Sequence, residues 1–231
     1  MKLRGEVAVV TGAGRGIGRA IAAAQAAAGA KVALLARTAT EIEAGAAAIA
    51  AAGGTAHAFA VDIVDLDAVT RTFAAIEAEL GPVSLLTNNA GAFAAIGPIW
   101  QVEPEAWWGD VETNVRGTFN CCRAAIPAML GRRHGRILNM TGGGTATSFP
   151  HGSGYATSKA GLLRFSESVA DTLAGSGVLV FAMDPGLVRT SMTEYQLSSD
   201  AGRTYLPNIP RLFATGINVP PDLARRQPQV G

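Results

Sequence analysis

Tyr155 and Lys159 lie four residues apart in a stretch of helical periodicity, 155–174, so their side chains share one face. A phenol has a free pKa of about 10, and a neighbouring ammonium favours the phenolate and lowers that value. A tyrosine paired in this way exchanges a proton with an alcohol or a carbonyl near neutral pH. Taken alone, the pair also suits an ordinary exposed helix start. A second chemical signal stands near the front of the chain, in Thr11-Gly12-Ala13-Gly14-Arg15-Gly16-Ile17-Gly18. Glycine lets a backbone turn tightly and approach a pyrophosphate, and a following helix offers free N–H groups and the positive end of its dipole. The spacing is Gly-x-x-x-Gly-x-Gly, not the Gly-x-Gly-x-x-Gly of many dinucleotide folds.

Elements on either side must hold these groups in place. Residues 7–10 read as a short buried strand before the glycine loop, and 21–28 as a helix closed by Gly29. Strand 31–36 follows, then a helix from the polar patch Arg37-Thr38-Ala39-Thr40 to about 52, and strand 55–61 closing on Asp62. Helix 66–80 carries Leu66, Val69, Phe73, Ile76 and Leu80 at helical spacing, and strand 83–87 runs into Asn88-Asn89-Ala90-Gly91. A looser stretch, 92–104, precedes a helical region at 105–130, in which Gly109 and Gly117 predict a break. Strand 136–140, a Gly/Ser/Thr-rich loop at 141–154, helix 155–174 and strand 178–183 complete the pattern, stopped by Asp184-Pro185-Gly186. This alternation predicts an α/β fold, a Rossmann-type doubly wound parallel sheet with helices on both faces and six strands. No repeat or linker divides the chain, so 1–231 is expected to be a single domain. Its segment 188–231, rich in Pro, Ser, Arg and Thr, is read as a substrate lid and an irregular tail with no convincing seventh strand.

The totals exclude several classes. With 231 residues, 48% of them hydrophobic, the chain is long enough for a large core. A net charge of +1 with interspersed signs gives no reason to expect nucleic acid or an anionic membrane as partner. No signal peptide fits the start and no apolar run spans a bilayer, so a cytoplasmic location is expected. Cys121 and Cys122 are adjacent and poorly placed to bridge each other, as core thiols in a reducing compartment would be. The three histidines form no metal-ligand spacing, and no metal is expected.

With the loop 11–18, Asn88-Asn89-Ala90-Gly91 and Tyr155-x-x-x-Lys159 in this order, the chain resembles the short-chain dehydrogenase/reductase family over about 5–190. The resemblance implies an oxidoreductase that moves a hydride between a nicotinamide cofactor and a small secondary alcohol or ketone, with Tyr155 as acid/base. It implies that Lys159 also holds the nicotinamide ribose. Asn114, within Glu112-Thr113-Asn114-Val115-Arg116-Gly117, would steady a water in the proton relay. It gives Gly12, Arg15, Gly16, Ile17 and Gly18 to the pyrophosphate and adenine-ribose side, and Asp62 and Ile63 to the adenine. Asn89, Ala90 and Gly91 would line the cofactor through backbone, and Pro185, Gly186, Val188 and Thr190 would lie beside the nicotinamide. An NAD site usually ends its second strand in an acid for the ribose hydroxyls, about twenty residues past the glycines. Here the place reads Ala36-Arg37. Arg37 and Arg15 are suited to cradle a 2′-phosphate, so NADP(H) is the expected cofactor, with NAD(H) possible; a solvated loop arginine is the plainer reading of Arg37.

Two departures from the family stand out. Its catalytic serine falls thirteen residues before the tyrosine, and here that position is Gly142. Three accounts remain open. Thr141, Thr145 or Ser153 supplies a hydroxyl; a glycine-loop N–H does so; or catalysis is weak and the chain is an NADP(H)-binding sensor or scaffold. Thr141 is adjacent to Gly142 and points the other way if the strand persists. Trp100, Phe149, Met192, Tyr195 and Leu206 are candidates for an apolar pocket under a lid at 191–217. The second departure is the end of the chain, where the family usually adds a helix and a seventh strand. Pro220-Pro221-Asp222-Leu223-Ala224 would begin that helix. An assembly smaller than the family's common tetramer is therefore expected, a homodimer through the helices around 118–129 and 155–174.

Overall fold

The central strand β1 (Val7–Thr11) is buried throughout, with Val7 and Val9 packed in one apolar cluster and Ala8 and Val10 in another. A strand covered on both faces must be apolar at every position, which is why this run reads as continuous rather than alternating. In the computed structural model, which describes residues 2–214, β1 pairs with β2 (Lys31–Ala36) on one side and β4 (Val83–Asn88) on the other. With β3 (Thr55–Ala60), β5 (Gly135–Met140) and β6 (Val178–Met183), they form one parallel sheet ordered β3-β2-β1-β4-β5-β6. The strand order reverses between β1 and β4. A crevice opens there, beyond the carboxyl ends of the strands, and the chemically suggestive loops all leave the sheet at that edge.

Helices cover both faces. α1 (Gly16–Ala27) and α2 (Ala39–Ala51) pack Ala22, Ala26, Ile42 and Ile49 on one. α3 (Leu66–Leu80) packs Val69, Phe73 and Ile76 on the other. α1 starts five residues before the expected helix, because the glycine loop itself supplies its first turn. The expected break at 105–130 takes another form. α4 (Pro104–Val111), with Pro104 in its first turn, runs into a π-helical turn (Glu112–Arg116) and on into α5 (Gly117–Arg132) without leaving the helix. Gly117 is needed there because the Ile63 side chain lies across it. α6 (Ser153–Thr172) carries the tyrosine and lysine.

The segment read as irregular is helical as far as it is described: α7 (Ser191–Ser198), α8 (Asp200–Tyr205) and α9 (Ile209–Ala214). These helices are too short for a periodic signal, and side-chain caps start the first two. Thr190 accepts from the Thr193 N–H, and Ser199 from that of Gly202. Pro220 to Ala224 lie outside the described residues. Among the described residues no helix is long and apolar enough to cross a membrane.

Candidate active site

Two loops at the switch point are fastened to each other. Thr11 Oγ1 accepts from the Asn89 and Ala90 N–H groups at 3.0 Å each, and Asn89 Nδ2 donates to the Thr11 and Gly12 carbonyls at 3.0 and 3.3 Å. Gly12 adopts a φ of +63°, and a Cβ there would come within 2.8 Å of Ala90 Cα. A Cβ on Gly18 would run into the Gly12 carbonyl and Asn89 Nδ2. Any side chain at these positions would push the loops apart. Arg15 is the N-cap of α1 in extended conformation, and no acid occupies the first turn, so the helix keeps its positive end free. Thr190 reaches the loop from the far side, its Cγ2 3.3 Å from where a Cβ on Gly16 would stand. Asp62 Oδ1 accepts from Val64 N–H at 3.0 Å, whereas the Ile63 side chain is committed to the core. Arg37 is exposed and makes no ion pair or hydrogen bond among the described residues, while Arg15 pairs with Glu41 at 3.6 Å.

The second half of the site joins α6 to the π-turn. Asn114 Oδ1 accepts from Ala92 N–H at 2.7 Å, and its Nδ2 donates to the Ala92 carbonyl at 3.0 Å and to Ser158 Oγ at 2.8 Å. Ser158 in turn donates to the Tyr155 carbonyl at 2.6 Å. Gly91 lies where a Cβ would meet Asn114 Oδ1 at 3.1 Å and Lys159 Nζ at 3.5 Å, so both side chains converge on its backbone. Lys159, only 4% exposed, donates to the Met140 carbonyl at the end of β5 at 2.9 Å. Burial pushes its ammonium down to about 8, against the opposing pull of Asp184. Tyr155 is stacked on Phe93 with ring centroids 4.5 Å apart, and Phe149 meets it edge-on at 6.2 Å.

The expected lowering of the tyrosine pKa is not found. Burial raises it well above its ordinary value, and the carboxylates of Asp184 and Asp110 add to the rise. The lysine ammonium stands 5.5 Å from the ring centroid but is bonded to Met140, so desolvation decides the titration of the phenol.

The sequence matches the model of the short chain dehydrogenase family over residues 6–201. The chain belongs to the short-chain dehydrogenase family. It is 41% identical over 194 residues to a short chain dehydrogenase of Pseudocercospora fijiensis, covering 83% of this chain but less than two thirds (62%) of that protein. It is 38% identical over 213 residues to the 3-oxoacyl-acyl-carrier-protein reductase FabG of Escherichia coli, covering 91% of this chain and 84% of that one. A variant of actinorhodin polyketide ketoreductase with NADPH superposes with a TM-score of 0.86 at 29% identity, over 95% of this chain and 87% of that chain. A metagenomic short-chain oxidoreductase in complex with NADP gives 0.77 at 32%, over 99% and 95%.

Gly142 lies directly against the tyrosine. A Cβ there would stand 2.6 Å from Tyr155 Oη, so the phenol occupies room that a side chain at 142 would take. Thr145 Oγ1 is turned onto Gly142 itself, donating to its carbonyl at 2.5 Å and accepting from its N–H at 3.2 Å. Ser153 Oγ accepts from Trp107 Nε1 at 3.0 Å, and Thr141 is buried with its N–H on the Met183 carbonyl. None of these hydroxyls bonds to Tyr155. The N–H groups of Gly143 and Gly144 donate to no described acceptor.

Of the expected pocket residues, Phe149, Met192 and Leu206 gather with Phe93, Ile209 and Tyr155 under the α7–α9 helices. Trp100 and Tyr195, 80% and 45% exposed, do not line it. Sequence reasoning missed Phe93, Thr11, Glu41 and Asp110. Asp110 is wholly buried and accepts from the Ala94 and Ala95 N–H groups at 2.7 and 3.0 Å, fixing the loop that presents Phe93. An acid at an otherwise apolar helix position was the one available hint.

Proposed function

We propose that this dehydrogenase interconverts a secondary alcohol and a ketone with NADP(H), NAD(H) being the weaker cofactor. The observation that carries the reading is Tyr155 packed among Phe93, Phe149, Met192 and Leu206 with its Oη against Gly142, and Lys159 and Asn114 converging on Gly91. The interlocked glycine cradle is the other support. Side chains would fill it, and it ends in a helix N-terminus whose own first turn carries no acid, which fits a pyrophosphate; Gly12, Arg15, Gly16, Ile17 and Gly18 would hold that group, and Asn89, Ala90, Gly91, Pro185, Gly186, Val188 and Thr190 would flank the rest. A bound nicotinamide supplies or accepts the hydride. A phenol is protonated at neutral pH, and burial together with the Asp184 and Asp110 carboxylates raises the Tyr155 value further, so it carries the proton that a carbonyl oxygen would take. Lys159 and Asn114 tie α6 to the end of β5 and to the loop at 92, and so hold the turn that carries Tyr155. The Gly143 and Gly144 N–H groups, which donate to no acceptor among the described residues, are our candidates to replace the family's serine.

Gly142 favours a second reading, a cofactor-binding protein with little turnover. The experiment that separates them is NADPH oxidation against ketones and quinones for the wild type and Tyr155→Phe. Turnover lost in Tyr155→Phe supports the enzyme; cofactor binding without turnover in either protein supports the sensor. We further propose a cytoplasmic single-domain protein in which 188–214 forms the lid; the expected tail beyond it lies outside the described residues. The proposed homodimer uses α5 and α6, since α5 exposes Phe119 and Leu130. Light scattering that shows a stable tetramer would contradict it.

A further inference from the structure

α2 opens with Thr38-Ala39-Thr40-Glu41, a Thr-x-x-Glu pattern in which the glutamate ordinarily folds back to the N-cap N–H. That exchange is not made. Thr38 forms no side-chain cap bond, and the Glu41 carboxylate is turned onto the glycine loop instead. A Cβ on Gly14 would stand 2.6 Å from Glu41 Oε2 and 2.9 Å from Glu41 Cβ, so the side chain lies against the loop backbone. Its other oxygen faces Arg15 Nη1 at 3.6 Å. Arg37, in contrast, has no partner among the described residues. Of the two guanidinium groups that the cofactor reading assigns to a 2′-phosphate, one is free and one is held by an internal anion.

We propose that Glu41 is the specificity-determining residue of the nucleotide site, a tethered carboxylate that competes with a 2′-phosphate for Arg15. It also stands in for the acid that Ala36-Arg37 lacks, as an acceptor for ribose hydroxyls when the 2′-phosphate is absent. The proposal rests on the nucleotide reading above. The Arg15–Glu41 pair is solvated, with side chains 68% and 36% exposed, so breaking it costs little. The larger effect is repulsion. Like charges a few ångströms apart in a water-like medium shift a binding constant by about tenfold. A carboxylate here therefore narrows the gap between NADP(H) and NAD(H) that the two arginines would otherwise open.

The test is calorimetric titration of NADPH and NADH into the purified chain, which reads binding without turnover, with melting temperatures to confirm folding. Glu41→Gln should tighten NADPH by about tenfold and leave NADH within about twofold, because the amide keeps an acceptor and loses the charge. Glu41→Ala should give a similar gain for NADPH and weaken NADH severalfold. Unchanged NADPH affinity in both variants, or equal shifts for both nucleotides, overturns the role of Glu41 while wild-type NADPH binding leaves the cofactor reading intact. A wild type that binds neither nucleotide overturns the cofactor reading, and this proposal with it.

Discussion

Gly142→Ala probes the active-site geometry with a single carbon atom. Gly142 needs no left-handed backbone, so alanine introduces no strain of its own. Its Cβ would stand 2.6 Å from Tyr155 Oη and 3.5 Å from Cζ. Ordinary contact begins near about 3.4 Å, so the hydroxyl must withdraw by about 0.8 Å. The phenol has little freedom to do so: Phe93 is stacked on it at 4.5 Å, Phe149 closes the edge, and Ser158 and Asn114 tie down its turn of α6. Overpacking of this kind costs about 1–3 kcal/mol. If the cost falls on the placement of the reacting hydroxyl, ketone reduction slows by about 5- to 150-fold. Gly142→Ser imposes the same carbon but adds a donor beside the oxygen where charge develops, and such donors contribute about 2.7–4 kcal/mol. Steady-state NADPH oxidation should therefore show kcat reduced in the alanine variant and restored to at least the wild-type value in the serine variant, with KM for NADPH within about twofold in both. An alanine variant as fast as wild type would refute the claim that Tyr155 fills this space. A serine variant no faster than the alanine one would refute the need for a donor there.

Three further outcomes follow from the same geometry. Lys159 titrates at about 8 in the folded chain against 10.5 when free, so the unfolded chain binds the extra proton between those values and stability rises with pH across that window. Urea denaturation of the cofactor-free protein at pH 7.5 and 9.5 should show a gain of about 2 kcal/mol that Lys159→Met removes; parallel pH profiles would sink the idea. Asp110→Ala leaves the buried Ala95 N–H without its acceptor and frees the partly buried Ala94 N–H, and should cost about 1–3 kcal/mol by the same assay, a loss below about 0.5 kcal/mol counting against it. Arg37→Ala should weaken NADPH and not NADH in a binding titration, and an unchanged NADPH affinity would remove the basis for NADP(H) preference.

What the sequence makes legible is what local chemistry decides. β2, α3 and β6 lie where the apolar patterns place them, because Gly29, Gly81-Pro82 and Asp184-Pro185 punctuate the chain close by. Tyr155, Lys159 and the glycine loop stand out for the same reason, a spacing along one element, whereas Asn114 is pointed to only by the family resemblance. The failures arise where a partner comes from elsewhere in the chain. Glu41 gives no sign along the chain of its role, because Arg15 and Gly14 reach its carboxylate from the neighbouring loop. Gly117 looks like a helix breaker until Ile63 is laid across it, after which the helix passes through a π-turn that sets Asn114 against Ala92. The tyrosine–lysine pair shows the limit most sharply. A separation of four residues makes the two groups neighbours but leaves open what each is bonded to. The Met140 carbonyl takes the ammonium and Phe93 covers the phenol, so the pair titrates by desolvation, in the opposite sense to the one its spacing implies. Proximity along a helix therefore licenses a claim about which groups can exchange a proton, whereas the direction of a pKa shift requires knowing which carbonyls and rings the sheet edge brings to meet them.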